Sequence, residues 1–191
     1  MGRPSVKEKR TEEILLAFEK CVAKYGVEGS TLEKIAEAAN LRRSLLRHYI
    51  GNKEELLDAL VTRFLAESDK QIAQMKTDLT GEPANSIIEY LFYDDNTEHH
   101  ATRVAHALLV AAPENKKLSS QLMKWADSFD EAVAALLKAC YPQAKKADCE
   151  VVACGIVGIC SNTSSLAPLG ETQELRNASK EAAKRLLSTL N

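Results

Sequence analysis

Apolar residues recur at every third or fourth position through almost the whole chain, and nowhere do they alternate with strand period over a useful length. The pattern predicts an all-α protein. Its first stripe, Ile14, Leu15, Phe18, Cys21 and Val22, marks a helix over about Val6 to Tyr25 whose other face is Lys and Glu, with Gly26 as the expected terminator. Ser30 or Thr31 is the expected N-cap of a short second helix that turns Leu32, Ile35, Ala36 and Ala39 inward. Asn40 stands where the chain must turn sharply, and Asn is among the few non-glycine types that tolerate the left-handed conformation. A third helix follows from Arg42 to Tyr49, with Leu41, Leu45, Leu46 and Ile50 as its expected anchors. Gly51 and Asn52 break it. Lys53-Glu54-Glu55 then opens a long fourth helix with Leu56, Leu57, Leu60, Val61 and Phe64 on its apolar side.

Beyond Thr80, proline supplies the punctuation. Pro83 precedes a helix over Ile87 to Tyr93, Pro113 ends one over His99 to Ala112, and Pro142 closes one over Leu118 to Cys140. Two more are expected: Ala144 to about Leu166, rich in Ala, Gly, Cys and Val, and Thr172 to Leu190, amphipathic with Leu175, Ala178, Ala182, Ala183, Leu186 and Leu187 on one side. No internal repeat and no low-complexity tract interrupts them. The expected organisation is a small helical domain over residues 1–65 and a larger one over 66–191.

Composition changes this picture in only two respects. With 45% apolar and 27% charged residues, the 191-residue chain has the make-up of a folded globular protein. The start lacks an apolar signal core, and the longest nearly uncharged stretch, Val151 to Gly170, is broken by Ser, Asn, Thr and Pro. Neither export nor a membrane span is expected, and a reducing cytoplasm suits the five cysteines better than a disulfide framework. The net charge of -2 conceals an asymmetry. Residues 1–53 hold eleven Lys and Arg against seven Glu, a net of +4, whereas the other 138 residues hold 14 basic and 20 acidic side chains, a net of -6. Only the first third is therefore a candidate for touching phosphate.

Two short helices joined by a tight turn, with a longer helix in front, can hold the second short helix rigidly enough to enter a DNA major groove. On that helix Arg42, Arg43, Arg47 and His48 are available, and Ser44 and Tyr49 complete the candidate set. Arg matches the paired acceptors of guanine, which suggests a G-bearing half-site. Thr31 and Lys53, at the starts of the second and fourth helices, are candidate phosphate contacts that position rather than specify. From these residues alone, a solvated helix face is an equally good account of the arginines.

The stretch STLEKIAEAANLRRSLLRHYIGNKEELLDAL, within Thr11 to Phe64, resembles the N-terminal domain of tetracycline-repressor-type (TetR family) regulators. The likeness lies in a first helix ending near Gly26, a Thr-initiated helix with Ile35-Ala36, Leu41 after the turn, Tyr49, and Lys53-Glu-x-Leu56. It covers about a third of the chain. Asn40, Arg42 and Arg47 depart from the usual Gly, small N-cap residue and Tyr, leaving an Arg-rich recognition helix. The resemblance implies a homodimer on a palindromic double-stranded DNA operator, acting as a repressor. It also implies a C-terminal domain in which the last two helices pair across a two-fold axis and an unidentified small-molecule effector binds.

The C-terminal sequence permits both. Ala153, Gly155 and Gly158 allow close helix approach, and Ile156, Val157 and Ile159 supply apolar area for a dimer interface, although an internal core helix fits the same residues. Phe92, Tyr93, His106, Trp125 and Phe129 are candidate effector contacts, each of a type found more often in an ordinary core. Asp94, Asp95, Glu98, His99, His100 and His106 invite a metal, but Arg103 lies on the face shared by His99 and His106 and would repel a cation, so no metal or other cofactor is expected. Cys149 and Cys160 would lie about 16 Å apart along one straight helix, too far to bridge. The chain has no Gly-rich phosphate loop, no HExxH and no paired Glu-x-x-His, so an enzyme hosted in the larger domain is a minor alternative, as is a helical adaptor for protein partners.

Overall fold

The computed structural model describes residues 6–93, 98–166, 169–170 and 173–190. Among these, all regular structure is helical, in the order α1 (Val6–Gly29), α2 (Leu32–Ala38), α3 (Arg43–Ile50), α4 (Lys53–Leu79), α5 (Ala84–Leu91), α6 (Glu98–Ala111), α7 (Lys116–Cys140), α8 (Lys146–Leu166) and α9 (Gln173–Leu187). Short 3-10 turns over Ala112–Glu114 and Ser188–Leu190 follow α6 and α9. The expected elements are all present, with shifted ends. Asn115 caps α7 two residues earlier than its apolar pattern begins, by accepting the Leu118 N–H at 3.0 Å. The helix after Pro83 starts at Ala84 because proline needs no N–H at a helix start.

The chain divides into two compact units. The first comprises residues 1–67 together with 103–119, so it takes in more of the chain than the continuous segment 1–65. In it α1, α2 and α3 pack on one another. Ile14, Phe18 and Val22 from α1, Ile35 from α2, Leu46 from α3, and Leu56 and Leu60 from α4 are all buried. Arg63 on α4 pairs with Glu12 and Glu19 on α1, and Lys117 donates to Asp58 at 2.7 Å.

The second unit comprises residues 68–102 and 120–191. Its core joins Met75 and Leu79 of α4, Ile87 and Ile88 of α5, Val133 and Leu137 of α7, Val152 and Ile156 of α8, and Ala183 and Leu187 of α9. Within it α8 and α9 pack side by side, and the buried hydroxyls of Thr163 and Ser179 meet across them at 2.8 Å. Lys180 and Lys184 of α9 hold Glu89 of α5 at 2.9 and 3.0 Å. Those hydrogen bonds keep the Glu89 carboxyl below its ordinary value. Helix α8 is long and apolar enough to cross a membrane by length and composition alone, yet Cys149, Val152, Ala153 and Ile156 belong to this core.

The expected break at Gly26 is a local one. The helix continues to Gly29, but Gly26 has φ 72° and ψ 173°, a region open essentially to glycine alone. The bend is closed by the buried Ser30 hydroxyl, which donates to the Gly26 carbonyl at 2.7 Å. A Cβ at Gly26 would meet nothing within 4 Å. Gly26→Ala is therefore expected to destabilise the protein by about 1–3 kcal/mol through backbone conformation alone, measured by urea unfolding. An unchanged midpoint would show that the bend is not imposed by this residue.

Candidate nucleic-acid interface

Helix α3 has eight residues, too few to persist in water by itself, and its two ends and one anchor hold it in place. At its entry, α2 ends with Asn40 at φ 53°. The Leu41 N–H donates to Ala36 O at 2.8 Å and the Asn40 N–H to Glu37 O at 3.0 Å, the paired 6→1 and 5→2 bonds of a Schellman motif. Asparagine thus makes the turn usually given to glycine. At its exit, Gly51 has φ 82°, and a Cβ there would come within 1.6 Å of the Glu55 carboxylate. That carboxylate accepts the Asn52 N–H at 3.0 Å while Asn52 Oδ1 accepts the Glu55 N–H at 2.9 Å, a reciprocal capping box that starts α4.

The anchor is Leu46, which is buried. Leu45, expected beside it, is 40% exposed, because its position on the helix turns it away from α1 and α2; Leu41 and Ile50 are half-buried. The outward surface of α3 carries Arg43, Ser44, Arg47 and His48 beside the exposed Leu45, with Arg42 exposed just before the helix. Tyr49 is half-buried and its ring stands edge-on to His48, with centroids 5.4 Å apart. Arg42 makes no side-chain cap, so the first N–H groups of α3 lack that partner.

Thr31 caps α2 by accepting the Lys34 N–H at a long 3.4 Å. Lys34 bends back to donate to Gly29 O at 2.9 Å, with its ammonium 4.2 Å from the centre of the Tyr25 ring. The cations are not bare. Arg43 is paired with Glu33 of α2, and Lys53 donates to the Glu28 carbonyl at 3.3 Å and to its carboxylate at 3.4 Å. Glu33 and Glu28 were not singled out from the sequence. Their signal was seven Glu interleaved with eleven basic residues in the first 53. Backbone N–H at the start of α2 holds the Glu33 carboxyl below its ordinary value, with Arg43, Thr31 and Arg47 adding to the effect.

Residues 14–60 match the family described as bacterial regulatory proteins, tetR family. The N-terminal segment of the chain is thus of the tetR family. Among the relatives of this chain is the HTH-type transcriptional regulator BetI of Stenotrophomonas maltophilia, 27% identical over 107 residues, which are 54% of this chain and 55% of BetI. The HTH-type transcriptional repressor AcnR of Corynebacterium efficiens is 32% identical over 63 residues, 33% of this chain and 34% of AcnR. The chain thus spans about half of one relative and a third of the other. Among solved structures, a TetR transcription regulator from Haloarcula marismortui superposes with a TM-score of 0.75 at 16% identity, covering 95% of this chain and 97% of that one. A protein from Saccharomonospora viridis solved in complex with choline gives 0.77 at 13%, covering 94% and 96%. These likenesses extend the family's fold to the C-terminal helices.

The candidate residues of the second half do not converge. Phe92 is buried in the core of the second unit, whereas Tyr93 is 65% exposed. Trp125 and Phe129 are half-buried one turn apart on α7, with Trp125 Nε1 donating to Ser68 Oγ at 2.6 Å. His106 belongs to the first unit. None of the five lines the open groove of about 820 Å³ between α7 and α8, which is bordered by Asp127, Asp130, Glu131, Ala134, Lys138 and Glu150. Burial, and then the neighbouring Asp127, push the Asp130 carboxyl up.

On α8, Ala153 and Ile156 are fully buried in their own unit's core and so cannot face a partner. Gly155 and Ile159 are half-buried, and Gly158 is exposed. Asp94 and Asp95, and the side chains of Glu98 and His99, lie outside the described residues; among those described, no cluster of His, Cys, Asp or Glu could hold a metal ion. Cys21 and Cys149 are buried and Cys154 is exposed, while Cys160 and Cys140 donate to the carbonyls of Leu91 and Glu82 at 3.0 and 3.4 Å.

The long Thr31 cap should contribute less than an ideal one. Thr31→Ala is expected to cost about 0.5–1 kcal/mol in urea unfolding, and Thr31→Ser to cost less than half of that.

Proposed function

We propose that this chain is a transcriptional repressor that binds a palindromic DNA operator as a homodimer and is released by a small molecule. The observation that carries the reading is a single rigidly held eight-residue helix whose exposed side is Arg43, Ser44, Arg47 and His48, preceded by exposed Arg42. A helix of this size fits one major groove, and arginine suits paired acceptors on guanine. Lys53 and Thr31, at the starts of α4 and α2, would clamp phosphates on either side. Tyr49, half-buried beside His48, would shape the edge of the contact. Membership of a family of bacterial regulatory proteins supports regulation rather than catalysis, and a cytoplasmic location follows from that role.

The dimer is supported by the outward side of the last two helices. Val151 is 72% exposed, and Cys154 and Gly158 follow it at spacings of three and four along α8. On α9, Ala178 and Ala182 are likewise exposed although their pattern reads as inward-facing. Small apolar residues left bare on two adjacent helices suit a second pair of helices packed closely across a two-fold axis. In this reading the interface falls on Val151, Cys154 and Gly158, with Ile159 at its margin, while a Cβ at Gly155 would meet Leu186 of the same chain. For the effector, Trp125 and Phe129 are the candidates with remaining exposure on one helix face, and the choline bound by the Saccharomonospora viridis protein is a precedent for a small ligand in this fold.

Selection of bound duplexes from random DNA tests the central reading. The wild-type chain is expected to enrich a palindromic site, and Arg43→Ala with Arg47→Ala to weaken binding to it by about 1–3 kcal/mol per arginine, read by titration at fixed salt. Unchanged affinity in the double variant would remove α3 as the reading element. Val151→Asp is expected to shift the sedimentation equilibrium from dimer to monomer with helical content retained; a dimer of undiminished stability would exclude this face of α8.

A further inference from the structure

The proposed DNA-reading surface carries a carboxylate where a polyanion would be expected to repel one. Glu33 sits in the first turn of α2, the end nearest the proposed phosphate contact at Thr31, and is ion-paired to Arg43 of α3. Both side chains are more than half exposed, at 60% and 53%, so the pair is not a product of burial. The Glu33 carboxylate also feels Arg47, one helical turn beyond Arg43. Lys53 has its own acidic neighbour, but there Glu28 is 90% exposed and its carboxylate lies at the limit of contact, 3.4 Å away.

An arginine that is exposed and unrestrained beside DNA takes whichever phosphate is nearest, because phosphate attraction is strong and carries no sequence information. Reading a base requires the planar fork to arrive in one direction. Glu33 engages Nη1 of Arg43. That leaves the opposite edge of the guanidinium, Nε with Nη2, for two parallel acceptors such as O6 and N7 of guanine. An exposed ion pair is worth about 0–1 kcal/mol, so it restrains the side chain without competing seriously with a matched base.

We propose that Glu33 is a specificity-determining positioning residue: by holding one edge of the Arg43 guanidinium against α2, it directs the other edge to base acceptors and keeps the side chain off neighbouring phosphates. This rests on the DNA-binding function proposed above. Removing the carboxylate should then strengthen binding to arbitrary DNA and weaken discrimination, which a purely structural role would not do.

The experiment compares the site selected by the wild-type protein with a scrambled duplex of the same composition, over about 50–200 mM salt. Glu33→Gln is expected to raise affinity for the scrambled duplex about threefold, to steepen its salt dependence by about one phosphate contact, and to lower the selected-to-scrambled ratio about tenfold. In an Arg43→Ala background the same change should leave the ratio within about twofold, since the two residues then have nothing to couple. Glu28→Gln serves as the control for charge alone and is expected to raise both affinities by one common factor. If Glu33→Gln also raises both by a common factor, or lowers the ratio equally when Arg43 is absent, Glu33 acts through net charge and the inference is overturned, with the DNA-binding function intact. If the wild-type chain selects no site, the function and the inference fall together.

Discussion

An eight-residue helix cannot hold itself, and the position of α3 is the constraint on which the proposed DNA-reading surface depends. Its hydrogen bonds are too few to offset the cost of nucleating it, so its geometry is imposed from both ends and from one side. The Schellman turn at Asn40 sets the entry, Gly51 and the Asn52–Glu55 capping box set the exit, and Leu46 fixes the rotation about the helix axis. With rotation fixed by one leucine, the facing of every arginine follows from 100° per residue. The bend at Gly26 acts one step earlier, because the buried Ser30 hydroxyl that closes it also delivers the chain to the N-cap at Thr31.

The turns were legible in the sequence because they depend on residue types with few alternatives. Gly26 and Asn40 could be located without knowing what packs against them, as could the Thr31 cap. Anchoring was less legible. Leu41, Leu45, Leu46 and Ile50 are equally apolar, but an eight-residue helix touches its neighbours along a narrow strip, and which leucine lies on that strip depends on an entry angle that composition does not encode. Leu45 therefore ended in solvent. The same ambiguity separates the residues of α8. Ala153 and Ile156 meet the chain's own core while Val151, Cys154 and Gly158 do not, a rotational difference that an Ala-, Gly- and Val-rich sequence cannot display as periodicity.

Charge was legible as a sum and illegible as pairs. The net of +4 in the first 53 residues identified the segment that could meet phosphate. It did not show that Arg43 is partnered across two helices by Glu33, or Lys53 by Glu28, twenty-five residues earlier. Such pairs need the fold, because separation in sequence says nothing about N···O distance. Each such pair contributes at most about 1 kcal/mol in water, which is enough to bias the direction of a side chain. A surface built this way is a set of cations held in defined directions, not a uniform positive patch.

That arrangement bears on the departures of the N-terminal segment from the usual tetR-family pattern. Arg42 stands at an N-cap position where it makes no side-chain cap, so α3 begins without the local hydrogen bond that a small polar residue would provide. The first turn is left with backbone N–H groups that no side chain caps, beside an exposed arginine. On the proposed reading of α3 as a DNA-contacting helix, the loss of a cap and the gain of an arginine are one change: local stabilisation of the helix start is exchanged for a cation at the proposed contact.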